Sequence, residues 1–350
     1  METVGLFAVL RVLFMAILAF ALAMAWTPLL SFFLYRFGMG KRIRDTGATP
    51  VYSALHAGKG GVPTMGGLLV WVSTLVIVMF FWGLSLLAPD VFRPLNFLNR
   101  RETWLPLAAF VAAALVGVVD DLMNVWGIGP ESGGLRMRHR IILYAFIAAV
   151  GAWWFHYKLA FDSLHIPLFG DVTVGWWYIP VFFFVIVATA FSVNEIDGLD
   201  GLAGGVVLVI LGAYAVIALA LGRYDLATLT AVIMGSLLAF LWFNIYPARF
   251  MMGDTGAMSL GVVIGILAML TNTVLLLPLI GFALVLESLS VIIQLMAKKF
   301  LGRKVFLSSP LHHHLEASGW PEPKVVMRFW VMSGVMSLMG LSLFLIDRLL

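Results

Sequence analysis

Residues 201–246 read GLAGGVVLVILGAYAVIALALGRYDLATLTAVIMGSLLAFLWFNIY, two apolar runs joined at Gly222-Arg223-Tyr224-Asp225, with Arg223 and Asp225 the only charges in the stretch. A bilayer core about 30 Å thick needs about 20 apolar residues per helical span. Each run is therefore long enough to cross, and the polar hinge turns the chain back. The pattern continues in both directions. The 350 residues are 62% hydrophobic and 11% charged, with a mean hydropathy of +1.03, whereas soluble domains carry about 25% charged residues. The expected fold is all-α and polytopic, one integral membrane domain over residues 1–350.

Ten spans are predicted, at 6–34, 66–88, 104–120, 139–157, 174–193, 201–221, 226–246, 256–278, 280–300 and 326–347. The run after Arg11 extends to Leu34, too long for a signal-peptide core of roughly 7–15 residues, and reads as a span that stays. Loops and flanks after odd-numbered spans hold fifteen Lys and Arg, among them Lys41, Arg42, Arg44, Arg136, Arg138, Arg140, Lys298 and Lys299; those after even-numbered spans hold five. The positive-inside rule then puts the odd loops in the cytoplasm and both termini outside. There is no cysteine, hence no disulfide framework or thiolate metal site. A net charge of +4 without a basic stripe gives no sign of nucleic-acid binding.

The polar groups fall on the odd-loop side. A transporter is expected to gather them near the midplane between discontinuous helices, so the distribution favours an enzyme working at the cytoplasmic surface. Asp120 and Asp121 close an apolar run. Such charges can mark a water boundary, but acids at a membrane helix are functional by default. Neighbours on a helix point about 100° apart, which favours divided roles: one accepting a proton, the other orienting a cation or a basic partner. Asn194, Asp197 and Asp200 recur every third residue, gathering on one side of a helical turn, and Gly198, Gly201, Gly204 and Gly205 permit close approach of a ligand or backbone. A glycine-rich packing face explains the later glycines, but not three oxygen-bearing side chains in register. Asp254, in Gly253-Asp254-Thr255-Gly256, stands at a helix start, where backbone N–H groups suit a phosphate and a carboxylate can act as a cap. With the other acids it suggests a Mg²⁺ site, since hard cations choose oxygen ligands and bridge diphosphates. Lys59, near His56 and beside Gly60-Gly61-Val62-Pro63-Thr64-Met65-Gly66-Gly67, offers a point charge for phosphate. His312-His313-His314 cannot all face one metal from a regular element and read better as imidazoles beside a diphosphate. Glu287 is the one clear acid inside a predicted span.

In order along the chain, Pro63-Thr64-Met65-Gly66-Gly67, Asp120-Asp121, Asp197-Gly198-Leu199-Asp200-Gly201-Leu202-Ala203, Trp242-Phe243-Asn244, Gly253-Asp254-Thr255-Gly256 and Pro310-Leu311-His312-His313-His314 resemble the signature segments of the polyprenyl-phosphate N-acetylhexosamine-1-phosphate transferases. The histidine triplet followed by Gly319-Trp320-Pro321-Glu322-Pro323-Lys324 resembles the branch acting on a muramoyl-pentapeptide donor. The resemblance implies ten spans with both termini outside, Mg²⁺, UDP-MurNAc-pentapeptide as donor, undecaprenyl phosphate in the membrane as acceptor, UMP as product, a bacterial inner-membrane location and a possible homodimer. It implies Mg²⁺ on Asp254, and Asp120 positioning the lipid phosphate with Asp121 in support. Asn194, Asp197, Gly198 and Asp200 would line the nucleotide pocket, and Lys59, Gln294, His312, His313 and His314 would meet the donor. The chain departs from the family pattern at Val62, Glu195-Ile196, Met251 and Ala257, and has Asn124 where a lysine is usual, which makes the expected pocket more negative. Two other readings share these residues: a relative moving a different hexosamine phosphate, and an inactive paralogue.

Overall fold

The computed structural model describes residues 2–40, 61–99, 102–129 and 133–350. Its long helices are α1 (Glu2–Arg36), α2 (Leu68–Leu87), α3 (Trp104–Trp126), α4 (Met137–Trp153), α5 (Tyr178–Ile196), α6 (Leu202–Ala220), α7 (Tyr224–Asn244) and α8 (Gly253–Leu270). A short α9 (Leu277–Ile280) leads into α10 (Phe282–Leu301), followed by α11 (Leu311–Ala317) and α12 (Glu322–Leu349). Helices satisfy every backbone N–H and C=O within the segment, as a hydrocarbon environment demands. Nine helices among the described residues are long and apolar enough to cross a membrane, and Val274–Ile280 with Phe282–Leu301, bent by 83°, makes a tenth if taken as one span. The chain is a multi-pass membrane protein.

Two predicted boundaries move. The third span runs on to Trp126, so Asp120 and Asp121 lie inside the last two turns of α3 rather than beyond its end. The eighth stops at Leu270 instead of 278: Asn272 takes φ +52 and the Thr273 N–H folds back to Ala268 O at 2.9 Å. Residues 274–280 belong to the ninth span, which breaks at Gly281.

Helix α8 is buried along its whole length and packs against α3 and α5, with α1 against α7 further out. Gly256, Ser259, Gly261 and Gly265 keep α8 narrow, the device by which membrane helices pack without a hydrophobic drive between them. The outer faces of α1 and α12 present exposed Leu10, Phe14, Ile17, Val331 and Leu338, as lipid-facing helices do.

Polar ties mark the two ends of the bundle. At one end Arg11 Nη2 lies 2.6 Å from Asp225 Oδ1, and Asn99 Nδ2 donates to Asp225 Oδ2 at 2.6 Å. The antiparallel hairpin β1 (Ser163–Ile166) and β2 (Gly170–Thr173) pairs Ser163 with Thr173. It is clasped to α12 by His165, whose Nδ1 is 2.8 Å from Asp171 Oδ1 and whose Nε2 is 2.6 Å from Asp347 Oδ2. Partial burial of the ring opposes its charge, but hydrogen bonds and attraction from Asp171 and Asp347 prevail and raise the His165 pKa above its ordinary value. The other end carries the sequence motifs.

Candidate active site

Four helix ends meet around one guanidinium. Arg140, in the first turn of α4, places Nη2 2.5 Å from Asp120 Oδ2 on α3 and 2.8 Å from Asp254 Oδ2 at the start of α8. Its Nη1 donates to Asn194 Oδ1 near the end of α5 at 3.3 Å, and Asn194 Nδ2 donates to Asp254 Oδ1 at 2.7 Å. Asp120 is 0% exposed and Asp254 5%. The Arg140–Asp120 contact is an ion pair off the line of an aligned hydrogen bond, leaving Asp120 Oδ2 without a hydrogen-bond donor among the described residues, while Asp120 Oδ1 accepts the Leu135 N–H. Two acids this close and this dry repel unless a cation lies between them. Tyr144, one turn deeper on α4, is buried with its hydroxyl unpartnered among the described residues.

Asp121 does something else. Its Oδ1 accepts the Asp254 N–H at 3.1 Å and its Oδ2 the Thr255 N–H at 3.0 Å, which caps α8 with a charge of the sign the helix dipole favours. The sequence offers two uses for this helix start, a phosphate or a capping carboxylate; in the structure the second aspartate of the pair caps it. Gly253 begins α8 at φ +75, and a side chain there would meet Asp121 Oδ2 and Thr64 Oγ1 at 2.6 Å. The 63–67 motif supplies Thr64, whose Oγ1 donates to Asp121 Oδ1 at 3.4 Å. Its backbone is laced to Met39 and to Met251-Met252 by bonds of 2.8 Å. Lys59 and His56, singled out in the sequence, lie outside the described residues.

The loop after α5 is held from three sides. Asp200 Oδ2 accepts the Ala248 N–H at 2.9 Å, and its own N–H donates to Glu322 Oε1 at 2.7 Å. Asn244 Oδ1 accepts the Gly201 N–H at 3.0 Å, and Trp330 Nε1 donates to Gly201 O at 3.1 Å. Asp200 and the Trp242-Phe243-Asn244 segment thus fix the shape of the loop that presents Asp197 and Gly198. His312 and His313 are buried against Gly198, where a Cβ would lie 2.4 Å from His312 Nε2. His314 points elsewhere, its Nδ1 accepting the Leu307 N–H at 3.1 Å. Gln294 is 2% exposed, and its amide is taken up by the 305–306 backbone, donating to Phe306 O and accepting from Val305 and Phe306 N–H at 2.9–3.0 Å. The structure gives His314 and Gln294 loop-holding contacts.

Arg140 and Tyr144 were not singled out in the sequence as site residues. Arg140 entered only as one cytoplasmic charge among fifteen. The signal available was its place one helical turn before a phenol at the start of an apolar run. At Asn124, the departure on α3, the side chain is buried, and a positive charge reaches the acids from Arg140 on α4. Glu195, another of the departures, is half-buried and within electrostatic reach of Arg140 and His312.

Beside this cluster an apolar groove of about 580 Å³ opens between α5 and the broken α9–α10 pair, lined by Val181, Phe184, Val185, Leu284, Leu289 and Ile292 among others. Ser192 and Ser288 hydrogen-bond across it at 2.7 Å, close to Asn194 in sequence.

Acids, an amide and a guanidinium are thus gathered at one end of a multi-pass bundle, and the comparisons with known proteins give the class as a membrane-embedded transferase. Residues 103–272 match the family described as glycosyl transferase family 4. Across nearly the whole length, the chain is 38% identical to the phospho-N-acetylmuramoyl-pentapeptide-transferase of Moorella thermoacetica, covering 93% of this chain and 96% of that relative. It is 34% identical to the protein of the same name from Clostridium novyi (94% and 95%) and 36% identical to that of a Geobacillus species (93% and 95%). The chain belongs to the phospho-N-acetylmuramoyl-pentapeptide-transferase family.

Proposed function

We propose that this protein transfers phospho-MurNAc-pentapeptide from UDP-MurNAc-pentapeptide to undecaprenyl phosphate, giving lipid I and UMP, at the cytoplasmic face of a bacterial inner membrane with both termini outside. The observation that carries the reading is the Asp120–Arg140–Asp254 cluster with Asn194, beside a groove apolar enough for a polyprenyl chain. The relatives' shared name supplies the donor and the sugar, and the charge bias of the loops supplies the orientation.

The chemistry suits these residues. An oxygen of the lipid phosphate attacks the sugar-bearing phosphorus of the donor, a new phosphoanhydride forms, the old one breaks, and UMP leaves with the bond electrons. A phosphate nucleophile is already largely ionised near neutral pH, so catalysis rests on positioning and charge neutralisation, and direct attack needs no covalent enzyme intermediate. Asp120, beside Arg140 at the membrane-facing side, positions the lipid phosphate. Asp121 acts through α8, holding Asp254 in place. Asp197 and Gly198 with His312 and His313 line the donor side; Asp200, Gln294 and His314 keep the loops in shape. Lys59 is assigned to a donor phosphate.

Among the described residues no three His, Asp or Glu side chains converge in a ready-made metal cage. Mg²⁺ commonly takes one or two carboxylates and completes its shell with waters and substrate phosphates. Asp254 and Asp120, with the buried Asp120 Oδ2 lacking a hydrogen-bond donor, fit that habit and would hold it. When bound, Mg²⁺ neutralises diphosphate charge.

The test is incubation of the purified protein with undecaprenyl phosphate, Mg²⁺ and either UDP-MurNAc-pentapeptide or UDP-GlcNAc, with the lipid product weighed by mass spectrometry. Lipid I from the first donor supports the assignment. Product from UDP-GlcNAc alone moves the protein to the sister branch, and product from neither makes it an inactive paralogue.

A further inference from the structure

Two imidazoles share one arrangement. His312 and His313 open α11 with ring centroids 4.1 Å apart. Each turns Nδ1 toward a buried carboxylate. His313 Nδ1 lies 2.8 Å from Glu316 Oε2, one turn along the same helix. His312 Nδ1 lies 3.1 Å from Oε2 of Glu287, an α10 residue that is 0% exposed, and the His312 backbone N–H donates to Glu287 Oε1 at 3.2 Å. The opposite edges of both rings converge on Gly198: a Cβ there would sit 2.4 Å from His312 Nε2 and 3.1 Å from His313 Nε2. His312 is itself 0% exposed; its Nδ1 faces Glu287 Oε2 off the line of an aligned hydrogen bond, and neither ring nitrogen has a hydrogen-bond partner among the described residues.

A purely structural role for Glu287, tying α10 to α11, accounts for the backbone bond. It does not account for Oε2 standing 3.1 Å from Nδ1 on the ring edge opposite the one packed against Gly198. A buried carboxylate inside a membrane helix is costly without a specific partner. An ionised carboxylate accepts hydrogen bonds and cannot donate one; opposite such a group the ring proton sits on Nδ1. The partner on one ring nitrogen decides what the other nitrogen offers.

We infer that Glu287 is a positioning residue for the transfer reaction, holding the His312 ring with its proton on Nδ1 so that the Nε2 edge packs against Gly198 and sets the wall that meets the nucleotide-sugar. The inference rests on the proposed function for the identity of that ligand, and on the geometry alone for the state of the ring. His313 with Glu316 repeats the arrangement, which makes the Gly198 wall a two-imidazole surface and explains why the position has no side chain.

The test uses full-length protein in detergent, labelled with ¹⁵N-histidine, with the His312 signals assigned by their loss in His312→Gln. In the unsubstituted protein His312 Nδ1 is protonated. In Glu287→Gln the side-chain oxygen keeps the backbone N–H, the amide donates to Nδ1, and the ring proton moves to Nε2. The kinetic arm predicts that E287Q lowers kcat/KM for the donor roughly tenfold to a hundredfold, the range for lost partners of working imidazoles, with KM for the lipid phosphate unchanged. E287Q added to His312→Ala costs nothing further, because the two act as a unit. The inference is overturned by an Nε2-protonated ring in the unsubstituted protein, by an unchanged ring state in E287Q, or by additive losses in the double variant. Should E287Q fail to fold, the ring state of the unsubstituted protein and the donor kinetics of Glu287→Asp decide. Absence of turnover by unsubstituted protein defeats the proposed function, and the nitrogen shifts still report on Glu287.

Discussion

Arg140→Met asks whether charge holds the site together. Methionine keeps an unbranched apolar stem but leaves Asp120 and Asp254, 0% and 5% exposed, facing each other with no cation between them. Removing one partner of a buried ion pair costs about 3–5 kcal/mol. At about 2 °C per kcal/mol for a large chain, that lowers the melting temperature by about 6–10 °C. One acid can escape by taking up a proton, which sets the lower end of the range. Two controls follow from the geometry. Adding Asp120→Asn to R140M removes the like charge and recovers about half of the loss. Millimolar Mg²⁺ raises the melting temperature of R140M more than that of the unsubstituted protein, because a divalent cation replaces the missing charge. The assay is tryptophan fluorescence during a thermal ramp in detergent, with and without metal. An R140M protein melting within about 2 °C of the parent, or one left unimproved by D120N, refutes the idea that Arg140 compensates the two acids.

Asp121→Ala removes the acceptor for two first-turn N–H groups of α8 and costs about 2 kcal/mol, the upper range for a lost cap; thermal unfolding checks it, and an unchanged melting temperature contradicts the capping role. Gly198→Ala drives a methyl group into the buried His312 Nε2, so turnover falls about tenfold or more and overpacking costs about 1–3 kcal/mol, read by UMP release beside a melt. The His165 clasp carries a raised pKa, so its stabilisation is complete below the unfolded-state value and is lost as pH rises through the folded-state value. Amide exchange across 163–173, corrected for intrinsic rates, is therefore slower at about pH 5.5 than at about pH 9, and His165→Ala abolishes the difference; equal protection at both pH values counts against the clasp.

The membrane fold was legible because hydrocarbon imposes one answer on a long apolar run, and the 201–246 hairpin shows it without any tertiary information. Where the sequence misled, a local signal was overridden by packing. The apolar run through 271–278 has no charge to interrupt it, yet Asn272 and Thr273 turn the chain and hand Val274–Ile280 to the next span. Adjacent acids at 120 and 121 meet different partners, Arg140 and the start of α8, as their 100° separation on a helix favours, but which one caps α8 depended on where α8 lies. Asp200, Gln294 and His314 carry functional residue types in motif positions, and only the folded chain shows their polar atoms turned onto loop backbone. Arg140 was hidden for the converse reason: only its spacing to Tyr144 sets it apart locally from Arg136 and Arg138, and its importance comes from α3, α5 and α8 converging on it.

The most direct test of the account is UMP release under single-turnover conditions, measured side by side for the unsubstituted protein and Asp254→Asn across a Mg²⁺ titration, with and without undecaprenyl phosphate. The account predicts release that requires both lipid and metal in the unsubstituted protein and falls by about 10²-fold or more in D254N at every metal concentration. Release by D254N at the parental rate, with the same metal dependence, would place the chemistry elsewhere in the molecule.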